Sequence, residues 1–261
     1  MALYTISARP ASTSPFDRRW SSVYHVRPRP ELPPEVNLAP WLGPVRNQNI
    51  PAIGECSGES GAGAMDWLCR RWRNEAFVGS SLGLYEVERL EVNQLAQDMG
   101  ARLRQTQYAM QVVGVWANSL DPDIKQDFVV PITDAMLQSA AQHRIREGLW
   151  CPTLDEILNA LAHPTQPTVV QVGIVVYPSF ESNDTLTSGI VPMPGPTEQP
   201  LGGHAVLCIG ADLKQELLFF RNSWGSCYGA ALLDNSHANF ALPFRYFDTP
   251  RTFLSARAYY L

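Results

Sequence analysis

Charge is scarce in this sequence. Only 17% of its 261 residues are Asp, Glu, Lys or Arg, and the net balance is a modest −5. The 20 basic residues form no long run; the nearest approach is Arg70, Arg71 and Arg73 around Trp72, which reads as a solvated helix face. Binding to nucleic acid needs clustered cations, so no nucleic-acid partner is expected. Long apolar runs are also missing. Nothing reaches the roughly 18–20 residues that cross a bilayer, so no membrane partner is expected either. Residues 1–40 lack the apolar centre of a secretory signal. Cysteine is sparse and odd in number: five residues exclude a fully paired disulfide scaffold and leave at least one thiol unpaired. Together these absences predict a reducing, cytoplasmic setting.

Apolar material, by contrast, is ample. At 45% hydrophobic residues, the chain can bury roughly 70–75% of its extended surface, as one large domain or one domain in two lobes. Proline crowds the start (Pro10, Pro15, Pro28, Pro30), so residues 1–31 are expected to form an extended arm. From Cys56 the pattern turns helical, with Met65, Leu68, Cys69 and Trp72 on one stripe. Further helices are expected near Leu84–Gln97, Arg102–Val113 and Asp134–Glu147, with a loop or crossover over Asp121–Val130. Thr153 and Glu156 read as a capping box for a helix that His163-Pro164 ends. After Pro167 the texture changes to short β-branched and aromatic runs: Thr168–Val176, Ala205–Gly210, Leu217–Phe220 and Thr252–Tyr260. A long polar loop, Tyr177–Gly203, separates the first two of these runs. The expected architecture is α+β, a helical half followed by a strand-rich half.

Three segments carry chemistry. Gly54-Glu55-Cys56-Ser57-Gly58-Glu59-Ser60 heads the first helix, where backbone N–H groups and the helix dipole favour a thiolate. Gly202-Gly203-His204-Ala205-Val206 brings a histidine into a buried strand, and Arg221-Asn222-Ser223-Trp224-Gly225 follows the next one. His204 and Asn222 are separated by the length of a hairpin that could set them side by side. Cysteine catalysis requires this inventory: a thiolate attacks a carbonyl, an imidazole carries the proton, and a third polar group orients the ring. Gln48 and the Cys56 backbone N–H could stabilise the oxyanion. Ordinary structural roles compete with each assignment, since a lone cysteine or histidine is usually a core residue and an asparagine often caps a turn.

In these motifs the chain resembles the papain-like cysteine peptidases. Leu32-Pro33-Pro34-Glu35-Val36-Asn37 through Pro44-Val45-Arg46-Asn47-Gln48 is similar to the start of the mature domain, and the cysteine, histidine and asparagine motifs follow in the family's order. The resemblance implies a two-lobed papain-like fold with a cleft between a helical N-terminal lobe (32–127, with Gln48 and Cys56) and an antiparallel β-rich lobe (128–261, with His204 and Asn222). Residues 1–31 would be an N-terminal extension. It also implies Cys56 as nucleophile, His204 as general base and acid, Asn222 as its orienter, Gln48 in the oxyanion hole, and Trp224 shielding the Asn222–His204 bond. Gly100, Ala101, Gly203 and Trp224 would border a peptide or protein substrate. No cofactor or metal is implied.

The departures bear on specificity. Gln48 stands two residues further from the cysteine than is usual, Ser57 replaces a large aromatic, and Ile53 stands where many members have a disulfide cysteine. Ala101 falls in a position aligned with a glycine pair. Three functions remain open on this basis: peptide hydrolysis, acyl transfer or specialised amidase chemistry with the same triad, and a catalytically weak peptide-binding relative. Of the remaining cysteines, Cys69 and Cys208 are expected in the core and Cys151 and Cys227 in loops. His25, His143, His163 and His237 show no metal-ligand spacing and are expected on the surface. Phe180 in the long loop is a candidate substrate contact, and Glu55 and Glu59 read as first-turn acids.

Overall fold

A computed structural model describes residues 17–49, 52–94, 97–121, 129 and 131–261. The helical half opens with α1 (Cys56–Leu68), followed by α2 (Ser81–Leu90) and α3 (Leu103–Val112). The first half of α1 is built from small residues, and nearly all of the helix is buried. Such a helix can be central because small side chains let its neighbours approach on every side. At Gly58 the approach is closest: a Cβ there would lie 2.4 Å from the Ser81 carbonyl oxygen. A single π-helical turn, Cys69–Arg73, then ends the helix at Asn74, which adopts φ 53°. That turn rotates the expected apolar stripe out of register after Cys69. Trp72 is consequently exposed, with the Arg71 guanidinium 4.2 Å from its ring centroid.

Helix α2 starts at a cap in which the Ser80 hydroxyl accepts the Gly83 N–H, and it stops at Leu90 rather than near Gln97. Helix α4 (Asp134–Gln142) is likewise shorter than the sequence suggests. The residues beyond it form strand β2 (Glu147–Trp150), because the sheet edge takes up their backbone groups. Helix α5 (Leu154–Leu161) is capped by Thr153 as expected.

The remaining strands are β1 (Glu35–Asn37), β3 (Val170–Val176), β4 (Gly202–Asp212), β5 (Leu217–Arg221), β6 (Asn239–Pro243) and β7 (Phe253–Tyr260). They form one seven-stranded sheet ordered β2-β7-β3-β4-β5-β6, with β1 paired to the far end of β4 and every pair antiparallel. Strands β3 and β4 are covered on both faces, which is why they read as nearly unbroken apolar runs. The α+β class matches the expectation. The long loop after β3 contains a short helix, α6 (Asn183–Ser188). The expected boundary between residues 127 and 128, and most of the expected crossover over Asp121–Val130, lie outside the described residues.

Of the N-terminal arm, residues 17–31 are described, and they contain two 3-10 turns rather than a fully extended chain. They are knitted into the fold. The buried Trp20 donates its indole N–H to Tyr260 Oη at 2.8 Å, and Arg19 pairs with Glu156 at 2.8 Å. Asp17 lies 3.1 Å from Arg257 of β7 and 3.6 Å from Arg104 of α3, so one carboxylate spans both halves of the molecule.

Candidate active site

Strand register assembles one side of the site. His204 lies on β4 opposite Ile174 of β3, and Asn222 sits one residue past the end of β5, the next strand over. The two side chains meet: His204 Nε2 is 2.8 Å from Asn222 Oδ1. Oδ1 also receives the Ser223 N–H at 2.9 Å. An amide oxygen only accepts, so Nε2 carries the proton. In the neutral ring the lone pair is therefore on Nδ1, which has no hydrogen-bond partner among the described residues. Burial pushes the His204 pKa down to about 4, with the Asn222 bond pulling the other way. Trp224 lies nearly parallel to the imidazole, with centroids 4.6 Å apart and planes 24° apart. It covers the ring from water, and Tyr228 and Phe180 pack edge-on against it. Phe180, a candidate substrate contact in the sequence, is instead wholly buried in this aromatic group.

Cys56 is the first residue of α1 and packs with Leu103 of α3 and with Ala205, the neighbour of His204 on β4. Its place at the helix start therefore coincides with the histidine strand. Cys56 and His204 are both 0% exposed. Gln48 reaches the same place through the backbone. The Gln48 N–H donates to the Ser223 carbonyl, Gly225 N–H donates to Arg46, and Asn47 bridges to Trp224. The segment carrying Gln48 thus pairs directly with the segment carrying Asn222. Its side-chain oxygen accepts from Ser223 Oγ at 2.6 Å, and Nε2 donates to the Ile53 carbonyl at 3.3 Å. The amide nitrogen has two hydrogens, so the bond to Ile53 uses one of them. The longer Gln48–Cys56 connection is accommodated because Ile53 N–H returns a bond to the Gln48 carbonyl.

Several supporting residues were not legible as such in the sequence. Arg46 donates to Asp66 at 2.7 Å and to the Gly79 carbonyl at 2.9 Å, fixing the Gln48 segment against α1. Ser57, noted in the sequence as standing in place of a large aromatic, is buried and donates to Glu88 Oε2 at 2.5 Å. Burial pushes the Glu88 pKa up to about 8. Gln171 of β3 donates to the Ser57 carbonyl at 2.8 Å and Ser60 Oγ at 2.9 Å, tying the first turn of α1 to the sheet. Asp98 receives the Gly54 N–H on both carboxylate oxygens at 3.1 and 3.0 Å, and the Tyr85 hydroxyl at 2.7 Å. Tyr85 Oη accepts the Gly100 N–H, and Arg89 donates to the Gly100 carbonyl. Both backbone groups of Gly100 are therefore committed inside the protein, whereas those of Ala101 enter no hydrogen bond among the described residues. Gly100 itself adopts φ 67°, which suits glycine. Gly203 is half-buried on β4.

The other cysteines and histidines divide differently from expectation. Cys69 and Cys208 are in the core, as expected. Cys151 lies just past β2, outside any strand as expected, but is buried, and Cys227 is exposed. His143, expected on the surface, is buried: its Nδ1 contacts the Ser139 carbonyl and its ring stacks on Phe77. Glu55 and Glu59 are also buried, and Glu59 lies 3.5 Å from Arg46.

An antiparallel sheet carrying His204 and Asn222 thus lies beside a central helix headed by Cys56, and whole-chain comparisons find the same fold in solved structures. The structure superposes on xylellain, a cysteine protease from Xylella fastidiosa, with TM-score 0.82 and 24% identity, covering 98% of this chain and 96% of that one. Digestive procathepsin L 3 of the Tenebrio molitor larval midgut gives 0.71 at 16% identity, covering 99% and 77%. The bromelain protease of Ananas comosus, solved with the E64 inhibitor, gives 0.61 at 13% identity, covering 88% and 100%. The fold is papain-like. In sequence, the chain is 27% identical over 204 residues to an uncharacterized peptidase C1-like protein, L477, of Acanthamoeba polyphaga mimivirus. That match covers 74% of this chain and 63% of the viral protein. No protein-family model matches the chain. The fold is thus shared with solved cysteine proteases, and the sequence is similar to a peptidase C1-like protein.

Proposed function

We propose that this chain is a thiol hydrolase that cleaves peptide bonds through an acyl-enzyme on Cys56. The observation that carries the reading is the 2.8 Å contact between His204 Nε2 and Asn222 Oδ1, which leaves Nδ1 as the basic nitrogen. In the first step Nδ1 takes the Cys56 thiol proton and Sγ attacks the substrate carbonyl carbon. The oxyanion accepts hydrogen bonds from Gln48 Nε2 and the Cys56 backbone N–H. Collapse breaks the C–N bond, and Nδ1–H delivers its proton to the departing amine. Water, deprotonated by the same nitrogen, then releases the acid and restores the thiol. The backbone of Ala101 would pair with an extended peptide. A peptide or protein is thus the expected substrate, and a reducing, cytoplasmic setting remains part of the proposal.

Hydrolysis of a diverse peptide library by wild-type protein and by Cys56→Ala tests this reading. Turnover by the wild type and its loss in the variant are expected; equal turnover by both would remove Cys56 from the reaction. The complete burial of Cys56 and His204 favours one rival, a weak enzyme that chiefly binds peptides. For that rival, the Cys56 thiol would titrate near the ordinary value of about 8.5 and alkylate slowly. Acyl transfer with the same triad would show itself as aminolysis products when amines are added.

A further inference from the structure

At the far end of α1 from Cys56, three side chains of different chemistry converge. They are Cys69 on the π-helical turn, Glu75 just beyond it, and His143 at the end of α4. Cys69 Sγ, a Glu75 carboxylate oxygen and a His143 ring nitrogen all lie within 4.8 Å of one another. Thirteen helical residues at about 1.5 Å each place this cluster roughly 20 Å along the helix from Cys56. It is independent of the catalytic reading.

The histidine fixes the polarity of the cluster. His143 Nδ1 is 2.8 Å from the Ser139 carbonyl, which can only accept, so Nδ1 carries a proton. The ring is held in plane by Phe77, stacked at 3.7 Å. Nε2 faces Glu75 Oε1 at 2.9 Å, a second acceptor. A neutral imidazole cannot donate to both. Either a proton lies between Nε2 and Oε1 or a cation takes its place. A shared proton leaves the nearby thiol unused. A metal ion would engage all three groups. A metal-ligating histidine typically donates its other N–H to a backbone carbonyl, as His143 does here.

We propose that Cys69, Glu75 and His143 form a binding site for a divalent transition-metal ion of the zinc class. Thiolate, imidazole and carboxylate together suit a borderline-soft ion better than the hard cations magnesium or calcium. Zinc bonds of about 2.0–2.3 Å put tetrahedral ligand atoms roughly 3.3–3.7 Å apart. The 2.9 Å His143–Glu75 contact would open by a few tenths of an ångström while the wider spacings, which run within 4.8 Å, close towards the same range, and Glu75, with a 43% exposed side chain, can make its part of that movement. Water would fill the fourth position. Binding replaces two protons with bonds to the ion, the Cys69 thiol proton and the one that Nε2 shares with Glu75 in the metal-free protein, so two protons leave to solvent per ion bound. Burial and Glu75 push the Cys69 pKa up to about 12 in the metal-free protein, so a bound cation is what would make it a thiolate near neutral pH. The ion would staple the end of the nucleophile helix to α4.

Cobalt(II) titration of the full chain in the Cys56→Ala background, kept reduced, tests the site without interference from the catalytic thiol. Zinc competition then gives stoichiometry and affinity. The expected result is one ion per chain, a thiolate-to-cobalt charge-transfer band, release of two protons per ion, and a rise in Tm with zinc. Cys69→Ser should abolish the band. Glu75→Gln, which alters a half-exposed side chain and should fold normally, should weaken zinc binding at least tenfold. No band in the parent protein would overturn the proposal. So would a band of equal intensity in Cys69→Ser, which would assign it to another thiol such as Cys227, or unchanged affinity in Glu75→Gln.

Discussion

The strand side and the helix side of the active site are held in place by different means. On the strand side, His204 and Asn222 meet because β4 and β5 are antiparallel neighbours, and backbone register sets their positions. On the helix side, no ladder reaches Cys56. Its helix is fixed by side chains drawn from distant segments: the buried Gln171 on Ser57 and Ser60, the buried Glu88 on Ser57, and the exposed Asp98 on Gly54. Register tolerates substitution because many backbone bonds share it. Side-chain clips do not, because each one rests on one or two groups.

The comparison breaks most severely on the strand side if the His204 acceptor is removed. Asn222→Ala should lower kcat about 10²-fold or more with KM little changed, since the ring loses its tautomer and orientation but the substrate contacts remain. Steady-state kinetics on a peptide found in the library screen would measure it. A KM effect alone would mean that Asn222 supports binding, not the proton relay.

On the helix side, the largest effect should be on stability and its pH dependence. The folded Glu88 pKa, about 8, is raised above the ordinary value near 4.5. The unfolded chain therefore releases this proton first, and the Glu88 contribution to stability is present below about pH 4.5 and lost as pH rises towards 8. Glu88→Gln should flatten that loss, by a few kcal/mol at most, in denaturant melts between pH 5 and 8. His204 has the opposite sign. Its pKa is depressed to about 4, so its contribution is present above about pH 6.5 and falls as the pH drops to 4. A Glu88→Gln protein that loses as much stability as wild type between pH 5 and 8 would mean that Glu88 is ionised in the fold.

A smaller effect is expected at Asp98, which is exposed and so should cost little stability when changed. Its carboxylate joins Gly54, two residues before Cys56, to Tyr85 and through it to Gly100. Asp98→Asn should lower kcat/KM roughly tenfold, as expected for weakened charge-assisted bonds of about 1.5 kcal/mol, while Tm moves by only a few degrees. An unchanged kcat/KM would show that the clip does not position the site.

The same contrast explains what could be read from the sequence. Gly202-Gly203-His204-Ala205-Val206 and Asn222-Ser223-Trp224-Gly225 were legible because short apolar runs and turn residues are local signals. The start of α1 at Cys56 was legible for the same reason. The clips were not. Glu86, Glu88 and Arg89 sit in a charged stretch that resembles a solvated helix face, yet all three are buried. Only the substitution of Ser57 for an aromatic hinted that something polar lay opposite. Strands β1 and β6 are short, and β2, which starts at the last residue of the helix expected over Asp134–Glu147, was not expected because nothing local marks where α4 ends. The Glu75–His143 contact joins residues 68 positions apart, a distance at which no ligand spacing is visible.

The most direct test of the central claim is capture of the covalent intermediate. Wild-type protein is mixed with a peptide ester or amide found in the library screen, quenched in acid during turnover, and digested for mass spectrometry. The account predicts the substrate acyl mass on the peptide containing Cys56, absent from Cys56→Ala and prolonged in Asn222→Ala. Turnover under the same conditions with no acyl group on Cys56 at any quench time, or with the group on another residue, would contradict it.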